Sequence, residues 1–379
     1  MSEYQYYEFL AVDRPLGKED MAALRALSTR ARITATSFTN HYNWGDFRGD
    51  PTRLMNRWFD LHLYFANWMS RRLMIRLPKR LINRDRLDTF LRDVNCVEIQ
   101  TAGENVIIDI WHDYEPSEFT DDDDGTGWLG ALAPLRADLL ASDWRAFYLL
   151  WLMEAQTGTL ENDEKEPLRG IGPLNGGLET FADFFHIDRD LVQAAAEESP
   201  YTSGDSLPTA STRVAAIAAI PDEEKTALLE RLAAGDPHVM AEVRSRIQEA
   251  LAPTTTEIQD RCRTVSALRA RAAEICKERK ADEAAQVEAK RQQREREAEK
   301  ARRARLNILR LRGLAVWDEI ENEIEKRNIN GYERATDLLA DLRVLAEEDN
   351  TSDAYSERLR ALRSRHSRKT RFIEQLTKL

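Results

Sequence analysis

Cysteine is scarce in this chain, which has three in 379 residues. Cys96, Cys262 and Cys276 form no CxxC pair. This pattern argues against a disulfide framework and against a tetrahedral zinc site. We therefore expect no metal and no cofactor, and we expect the protein to lie in the reducing cytoplasm.

Long hydrophobic runs are also lacking. The longest apolar run is FYLLWLM at residues 147–153, far short of the roughly 20 residues that span a bilayer. The N-terminal stretch MSEYQYYEFLAVDRP has acids and tyrosines where a signal peptide has positive charge followed by an apolar core. The sequence therefore predicts no membrane contact and no export, and residues 147–153 are expected to form a buried helix turn.

Charge is present in abundance and is unevenly spread. The chain has 55 Lys and Arg against 66 Asp and Glu, a net charge of -11. Counted along the sequence, residues 1–255 have 26 basic and 42 acidic side chains, whereas residues 256–379 have 29 and 24. The chain thus combines an acidic body with a mildly basic tail, and its length predicts more than one packed unit.

The first 113 residues predict a small α+β domain. Alternating or β-branched runs, bounded by turn residues, predict strands in YQYYEFLAVD, ITATSFTNHYN, SRRLMIRLP, CVEIQ and NVIIDIW. Helical spacing predicts helices in KEDMAALRALSTRAR and NRDRLDTFLR. Asp50-Pro51 predicts a further helix start, and its apolar stripe continues at Leu54, Trp58, Leu61, Phe65 and Trp68.

The remaining sequence predicts an acidic linker and then only helices. We expect the linker at residues 114–126, packed short helices at 127–251, one long charged helix at 254–327 and a helical hairpin at 328–379. The apolar stripe of the long helix disappears through residues 277–305, so that part is expected to be solvated or to form a coiled coil.

Two basic clusters are candidate binding sites. The first, which has no acid within it, consists of Lys300, Arg302, Arg303, Arg305, Arg310 and Arg312. The second includes Arg365, Arg368, Lys369 and Arg371. Both clusters suit phosphates or an acidic protein surface. A solvated or coiled-coil face is the favoured interpretation of the first, and a basic helix end is the alternative for the second.

One loop is the best candidate for a pocket. His41, Tyr42, Trp44 and Asp46 gather at a predicted strand end, where rigid scaffolds often present binding groups. His41 and Asp46 could act as a base and its orienting partner, but no nucleophile motif is nearby. A packed aromatic loop is the favoured interpretation, so we predict no catalytic residue.

The segments YQYYEFLAVDRPL, LRALSTRARITATSFTNHYNWGDFRGDP and GWLGALAPLRADLL resemble an uncharacterised family of bacterial proteins. The tail segments YERATDLLADLRVLAEED and RLRALRSRHSRKTRFIEQL are similar to the helical ends of bacterial SWIM zinc-finger proteins. Neither resemblance implies a catalytic residue. The chain lacks the CxC and CxH ligands of a SWIM finger, so the resemblance implies that any zinc would be held by a partner.

These observations favour a non-enzymatic cytoplasmic interaction or adaptor protein. It would present the long charged helix and the terminal helices to a macromolecular partner, most simply another protein. The alternatives are a nucleic-acid-binding accessory protein that uses residues 300–312 and 363–371, and, less favoured, an enzyme with a pocket at 41–46. The long helix could also form a homodimer.

Overall fold

The computed structural model describes residues 3–82, 84–92, 94–113, 123–199, 210–251 and 262–377. It confirms the expected α+β class. The chain divides into two compact units, Met1–Glu278 and Arg279–Leu379.

An antiparallel sheet organises the first unit. Its strands are β1 (Gln5–Leu10), β2 (Arg32–Ile33), β3 (Ser37–Tyr42), β4 (Leu61–Ala66), β5 (Ser70–Pro78), β6 (Val97–Ala102) and β7 (Asn105–Asp113). They lie in the order β2-β3-β1-β4-β5-β7-β6. The hairpin of β6 and β7 confirms the hairpin expected from CVEIQ and NVIIDIW.

Both faces of this sheet are covered. In β5, Leu73, Ile75 and Leu77 belong to the larger core, whereas Met74 belongs to a second core on the opposite face, as the period of two in a strand requires. The second core is closed by the helices α1 (Lys18–Leu27) and α2 (Pro51–Arg57), and α3 (Arg84–Leu91) lies against the larger one.

The prediction of one helix from Asp50 through Trp68 is correct only as far as Arg57. Asp50 caps α2 as expected, because its Oδ1 accepts hydrogen bonds from the backbone N–H groups of Thr52 and Arg53. The helix ends at Arg57, and the segment Leu61–Ala66 is strand β4, paired on both sides. A strand that is buried on both faces loses its alternation, so its apolar run is easily mistaken for a helical face.

Helices cover the larger core. They are α4 (Trp128–Leu132), α5 (Pro134–Leu140), α6 (Arg145–Thr157), α7 (Gly176–Phe184) and α8 (Arg189–Ala196). Three further helices follow along the chain, α9 (Ala210–Ala219), α10 (Asp222–Ala233) and α11 (Val239–Leu251). The residues from Arg145 to Ala155 in α6 are buried, which confirms the buried helix turn expected at 147–153.

The acidic segment 114–126 does not separate two cores. Residues of the sheet and of α4–α8 share one hydrophobic cluster, and both lie in the first compact unit. Residues 114–122, most of the predicted linker, lie outside the described residues.

The second unit is helical. Its elements are the later part of α12 (Val265–Arg312), α13 (Ala315–Glu325), α14 (Ile329–Glu348), α15 (Ser352–Arg365) and α16 (Thr370–Leu376). Its core contains Leu306, Leu309, Ile320, Ile324 and Phe372, among others. Leu306 and Leu309 thus restore the apolar stripe at the predicted point.

The long helix predicted for 254–327 is interrupted. It ends at Arg312, because Gly313 adopts a left-handed conformation (φ 52°) and its N–H donates to the carbonyl of Leu309, which is how glycine commonly closes a helix. The predicted start at residue 254 lies outside the described residues. The expected terminal hairpin gains a third helix, α16, whose Phe372 is fully buried.

A buried carboxylate fixes the point at which α12 begins. Glu166 is 3% exposed and accepts hydrogen bonds from Arg263, through the backbone N–H (2.9 Å), Nε (3.0 Å) and Nη2 (3.0 Å). The Tyr148 hydroxyl also donates to this carboxylate. Backbone hydrogen bonds between residues 166 and 263 and between 164 and 265 continue the contact. Together these bonds attach the start of α12 to the core of the first unit.

We predict that Glu166→Ala destabilises the first unit by about 3–5 kcal/mol, because it removes the acceptor of the buried Tyr148 hydroxyl and the carboxylate that balances the charge of Arg263. Urea denaturation followed by circular dichroism measures the change.

Glu198→Ala is the matched control for this prediction. Glu198 forms a more exposed ion pair with Arg169, so its loss should change the free energy of unfolding by about 0–1 kcal/mol. Equal effects of the two variants would contradict the role given to Glu166.

Candidate functional site

The middle of α12 is exposed to solvent. Between residues 280 and 305 every side chain is exposed except that of Glu288, which is half-buried. Pairs at helical spacing, such as Arg303 with Glu299 (2.9 Å), support the helix locally. The exposure agrees with the solvated face that the sequence favoured.

Most cations of the first basic cluster contact acids of their own unit. Arg305 pairs with Asp341 at 2.6 Å, Arg310 pairs with Asp349 at 2.8 Å, and Arg312 pairs with Glu319. Arg303 pairs within its own helix. Lys300 and Arg302 are exposed and form no ion pair among the described residues. The structure therefore leaves two of the six predicted residues fully available to a partner.

An apolar stripe that the sequence analysis missed lies on the same part of α12. Ala301, Ala304, Ile308 and Leu311 are all exposed, Ile308 by 58% and Leu311 by 88%. Their spacing of three, four and three places them on one helical face, whereas Leu306 and Leu309 lie on the buried face. We call these four residues the exposed stripe. Its signal is present in the sequence but is masked by the surrounding arginines.

The second basic cluster lies in a cavity of about 1060 Å³ within the second unit. Arg365, Arg368, Lys369 and Arg371 line it, and Arg327 joins them from the end of α13. The sequence analysis missed Arg327 because it lies about forty residues away along the chain. We call this cavity the basic groove.

Among the described residues, two of these cations form ion pairs and three do not. Arg365 pairs with Glu321, and Lys369 pairs with Glu325 at 3.2 Å. The hydrogen bond and charge of Lys369 lower the pKa of the Glu325 carboxyl. The guanidinium groups that form no ion pair among the described residues are those of Arg327, Arg368 and Arg371.

The predicted pocket loop at 41–46 is mainly exposed, and several of its side chains contact neighbouring residues. Asp46 accepts a hydrogen bond from Gln5 Nε2 at 2.9 Å, and Tyr42 Oη accepts one from Asn40 Nδ2 at 2.6 Å. His41 stacks on Tyr4 with ring centroids 6.3 Å apart. Trp44 projects into solvent with 75% exposure. The structure therefore pairs Asp46 with Gln5 and directs His41 to another ring.

Tyr7 completes this packing. Its hydroxyl donates to Gln5 Oε1 at 2.7 Å. Burial, with the negative charge of Asp46, raises the pKa of Tyr7 to about 12. The phenol is therefore neutral at physiological pH and acts as a hydrogen-bond donor.

A second network, between the sheet side and the helices of the first unit, was not foreseen. The Asp13 carboxylate accepts hydrogen bonds from Nη1 and Nη2 of Arg136, at 2.9 and 2.6 Å. Its Oδ2 also lies 3.1 Å from His238 Nε2. Burial would raise the pKa of Asp13, but the hydrogen bonds from His238 and Arg136 lower it to about 2. These three residues are 225 positions apart at most, so no local pattern predicts the contact. The arrangement holds the segment after β1 against α5 and the segment before α11.

Neither a metal site nor a membrane span is found in the part of the chain that the structure describes. No group of three or more His, Cys, Asp or Glu residues there is placed to hold a metal ion. No described helix combines the length and the apolar character needed to cross a bilayer.

Comparisons with protein-family models, curated proteins and solved structures found no match for this chain. The two resemblances noted in the sequence stay predictions. The exposed stripe and the basic groove are the surfaces of the second unit with the chemistry to recognise a ligand.

We predict that the Asp13 network makes the first unit sensitive to acid. Because the folded pKa of Asp13 lies below its ordinary value, its stabilising effect is present above about pH 4 and is lost as pH falls towards 2. The difference in unfolding free energy between the parent and Asp13→Asn should be on the order of 2 kcal/mol at pH 7 and should shrink over that window.

Urea unfolding at a series of pH values measures this difference. Asp163→Asn is the control, because Asp163 is exposed and forms no ion pair among the described residues. If the Asp13→Asn curve stays parallel to the parent curve down to pH 2, the carboxylate does not have this role.

Proposed function

We propose that this chain is a non-enzymatic cytoplasmic interaction protein whose helix α12 binds an acidic amphipathic helix of another protein. The observation that carries the proposal is the exposed stripe. Ile308 and Leu311 are more than half exposed on a helix whose opposite face packs into a core through Leu306 and Leu309. A helix with two apolar faces usually contacts apolar surface on both.

The spacing of the stripe supports a helical partner. Ala301, Ala304, Ile308 and Leu311 follow the three-four-three pattern of a coiled-coil seam. The alanines would allow close approach, and the two larger side chains would supply apolar area. Complete burial of a Leu or Ile side chain contributes about 1.5–3 kcal/mol, so this seam suits a regulated rather than a permanent contact.

The flanking charge supports an acidic partner. By helical spacing, Lys300 lies at one edge of the stripe and forms no ion pair among the described residues. Arg305 and Arg312 lie at the other edge, where Asp341 and Glu319 already pair with them. A partner helix with Glu or Asp at the flanking position would place an opposite charge beside Lys300. A second copy of α12 would place cations opposite cations, so we favour a different protein over the homodimer.

The contacts of the loop at 41–46 support the non-enzymatic part of the proposal. Tyr42 and Asp46 form hydrogen bonds with Asn40 and Gln5, and His41 stacks on Tyr4. Asp46 is thus engaged with Gln5 and His41 with Tyr4, which supports neither group as a base or as its orienting partner. The nucleic-acid alternative for residues 300–312 stays a prediction, and it is weakened by the ion pairs of Arg305, Arg310 and Arg312.

We predict that a photo-crosslinking residue at Leu311 in the full chain forms a discrete adduct with one acidic protein in the native cell. Ile308→Glu combined with Leu311→Glu should reduce recovery of that protein at least tenfold, because glutamates in the seam would meet the acidic flanks of the partner. Both positions are exposed, so the variant should change the unfolding free energy by no more than about 0.5 kcal/mol.

Leu229 is the matched control, because it is equally apolar, exposed by 66% and located on α10 of the other unit. The same crosslinker at Leu229 should give no such adduct, and Leu229→Glu should preserve recovery. An adduct between two copies of this chain would replace the proposal by a homodimer. Indistinguishable adducts from Leu229 and Leu311 would refute it.

A further inference from the structure

The basic groove of the second unit has more positive charge than its own acids neutralise. Five Arg and Lys side chains line it, against the carboxylates of Glu321 and Glu325. Both carboxylates are already paired, with Arg365 and Lys369 respectively. A net excess of three positive charges therefore faces one cavity.

The unpaired cations are all guanidinium groups. Arg327, Arg368 and Arg371 line the groove, are exposed and form no ion pair among the described residues. A guanidinium presents a planar fork of donors that matches two phosphate oxygens at once. Three such groups around one space suit a ligand with several phosphates better than a ligand with one carboxylate.

The N-terminal end of α14 lines the same groove. Asn328, Ile329 and Asn330 contribute to its wall, and Asn328 caps the helix by accepting the Gly331 N–H at 2.7 Å. The positive end of this twenty-residue helix therefore adds to the field of the arginines. An anion near this end is stabilised by both sources.

Arg327 is held in place by a constrained backbone. It adopts a left-handed conformation with φ of 50° between α13 and α14, which is uncommon for a residue other than glycine, Asn or Asp. Close packing of Gly331 fixes the junction, since a Cβ there would lie 2.5 Å from the Glu323 carbonyl oxygen. The long cationic side chain of Arg327 thus lies at a position where glycine or asparagine would adopt the backbone conformation with less strain.

The size and lining of the groove indicate the class of ligand. A volume of about 1060 Å³ is at the upper end for a small-molecule site, so it accommodates several phosphate groups. Tyr332 and His366, the two lining residues with aromatic rings, are 8% and 5% exposed and offer little surface for base stacking. Recognition would therefore be of phosphates rather than of bases.

We propose that the basic groove is a binding site for clustered phosphate groups, with Arg327, Arg368 and Arg371 as the contacting residues. The phosphates could belong to a linear oligophosphate or to a nucleic-acid backbone, which share this chemistry. The proposal does not depend on the exposed stripe, because it uses different residues.

Titration of the full chain with sodium tripolyphosphate and with a blunt 12-base-pair duplex tests this site. At least one of the two should bind, and Arg368→Ala combined with Arg371→Ala should weaken that binding at least tenfold. The logarithm of the affinity for the duplex should fall against the logarithm of salt with a slope of about -2 to -3, and the double variant should flatten it. Binding of the duplex alone identifies a backbone as the source, and binding of tripolyphosphate alone identifies a free oligophosphate.

Two further variants make the result specific to the groove. Arg327→Asn removes a guanidinium at a position where Asn tolerates the backbone conformation, so weaker binding by this variant would not reflect misfolding. Arg294→Ala, an exposed residue of α12 with no ion pair among the described residues, should bind as the parent does. The proposal is overturned if neither phosphate probe binds, if Arg294→Ala weakens binding as much as the groove variants, or if an oligoglutamate peptide binds equally well.

Discussion

The buried carboxylate of Glu166 is the interaction on which the use of α12 depends. A long helix with a charged and solvated middle has little apolar area to hold it to a protein, so its position must be set at its ends. Glu166 does this at the N-terminal end, by joining Tyr148, Arg263 and the backbone at residue 263. The loss of any one of these bonds would cost much free energy of folding, because the remaining donor or acceptor would be buried without water or another partner.

Apolar packing holds α12 at both ends, and at its start Val265 and Leu268 belong to the larger core of the first unit. Leu306 and Leu309 join the core of the second unit, and Arg305 and Arg310 add ion pairs with Asp341 and Asp349. These pairs are exposed and contribute little to stability. They neutralise these two cations, whereas Lys300 at the edge of the apolar stripe forms no ion pair among the described residues.

Much of the fold follows from local patterns, and the failures have physical causes. The alternation in Ser70–Pro78 predicted β5 because one face of that strand is rich in Leu and Ile. The same reasoning failed at Leu61–Ala66, where burial on both faces removes the alternation. Half of the second basic cluster proved to be engaged, and Arg327 was missed, because sequence spacing carries no information on contacts between helices.

The basic groove and the exposed stripe differ in what they could recognise, although both are electropositive. The stripe combines apolar area with flanking cations, so a ligand without apolar surface would gain only weak, screened attraction there. The groove combines unpaired guanidinium groups with a helix N-terminus, and Ile329 is the exposed apolar side chain among its lining residues, so an amphipathic helix would bury less apolar area there than on the stripe. One small helical unit therefore has two surfaces that select different ligands: the stripe favours an acidic helix, and the groove favours a phosphate-bearing ligand. Positive charge alone would not distinguish the two ligands.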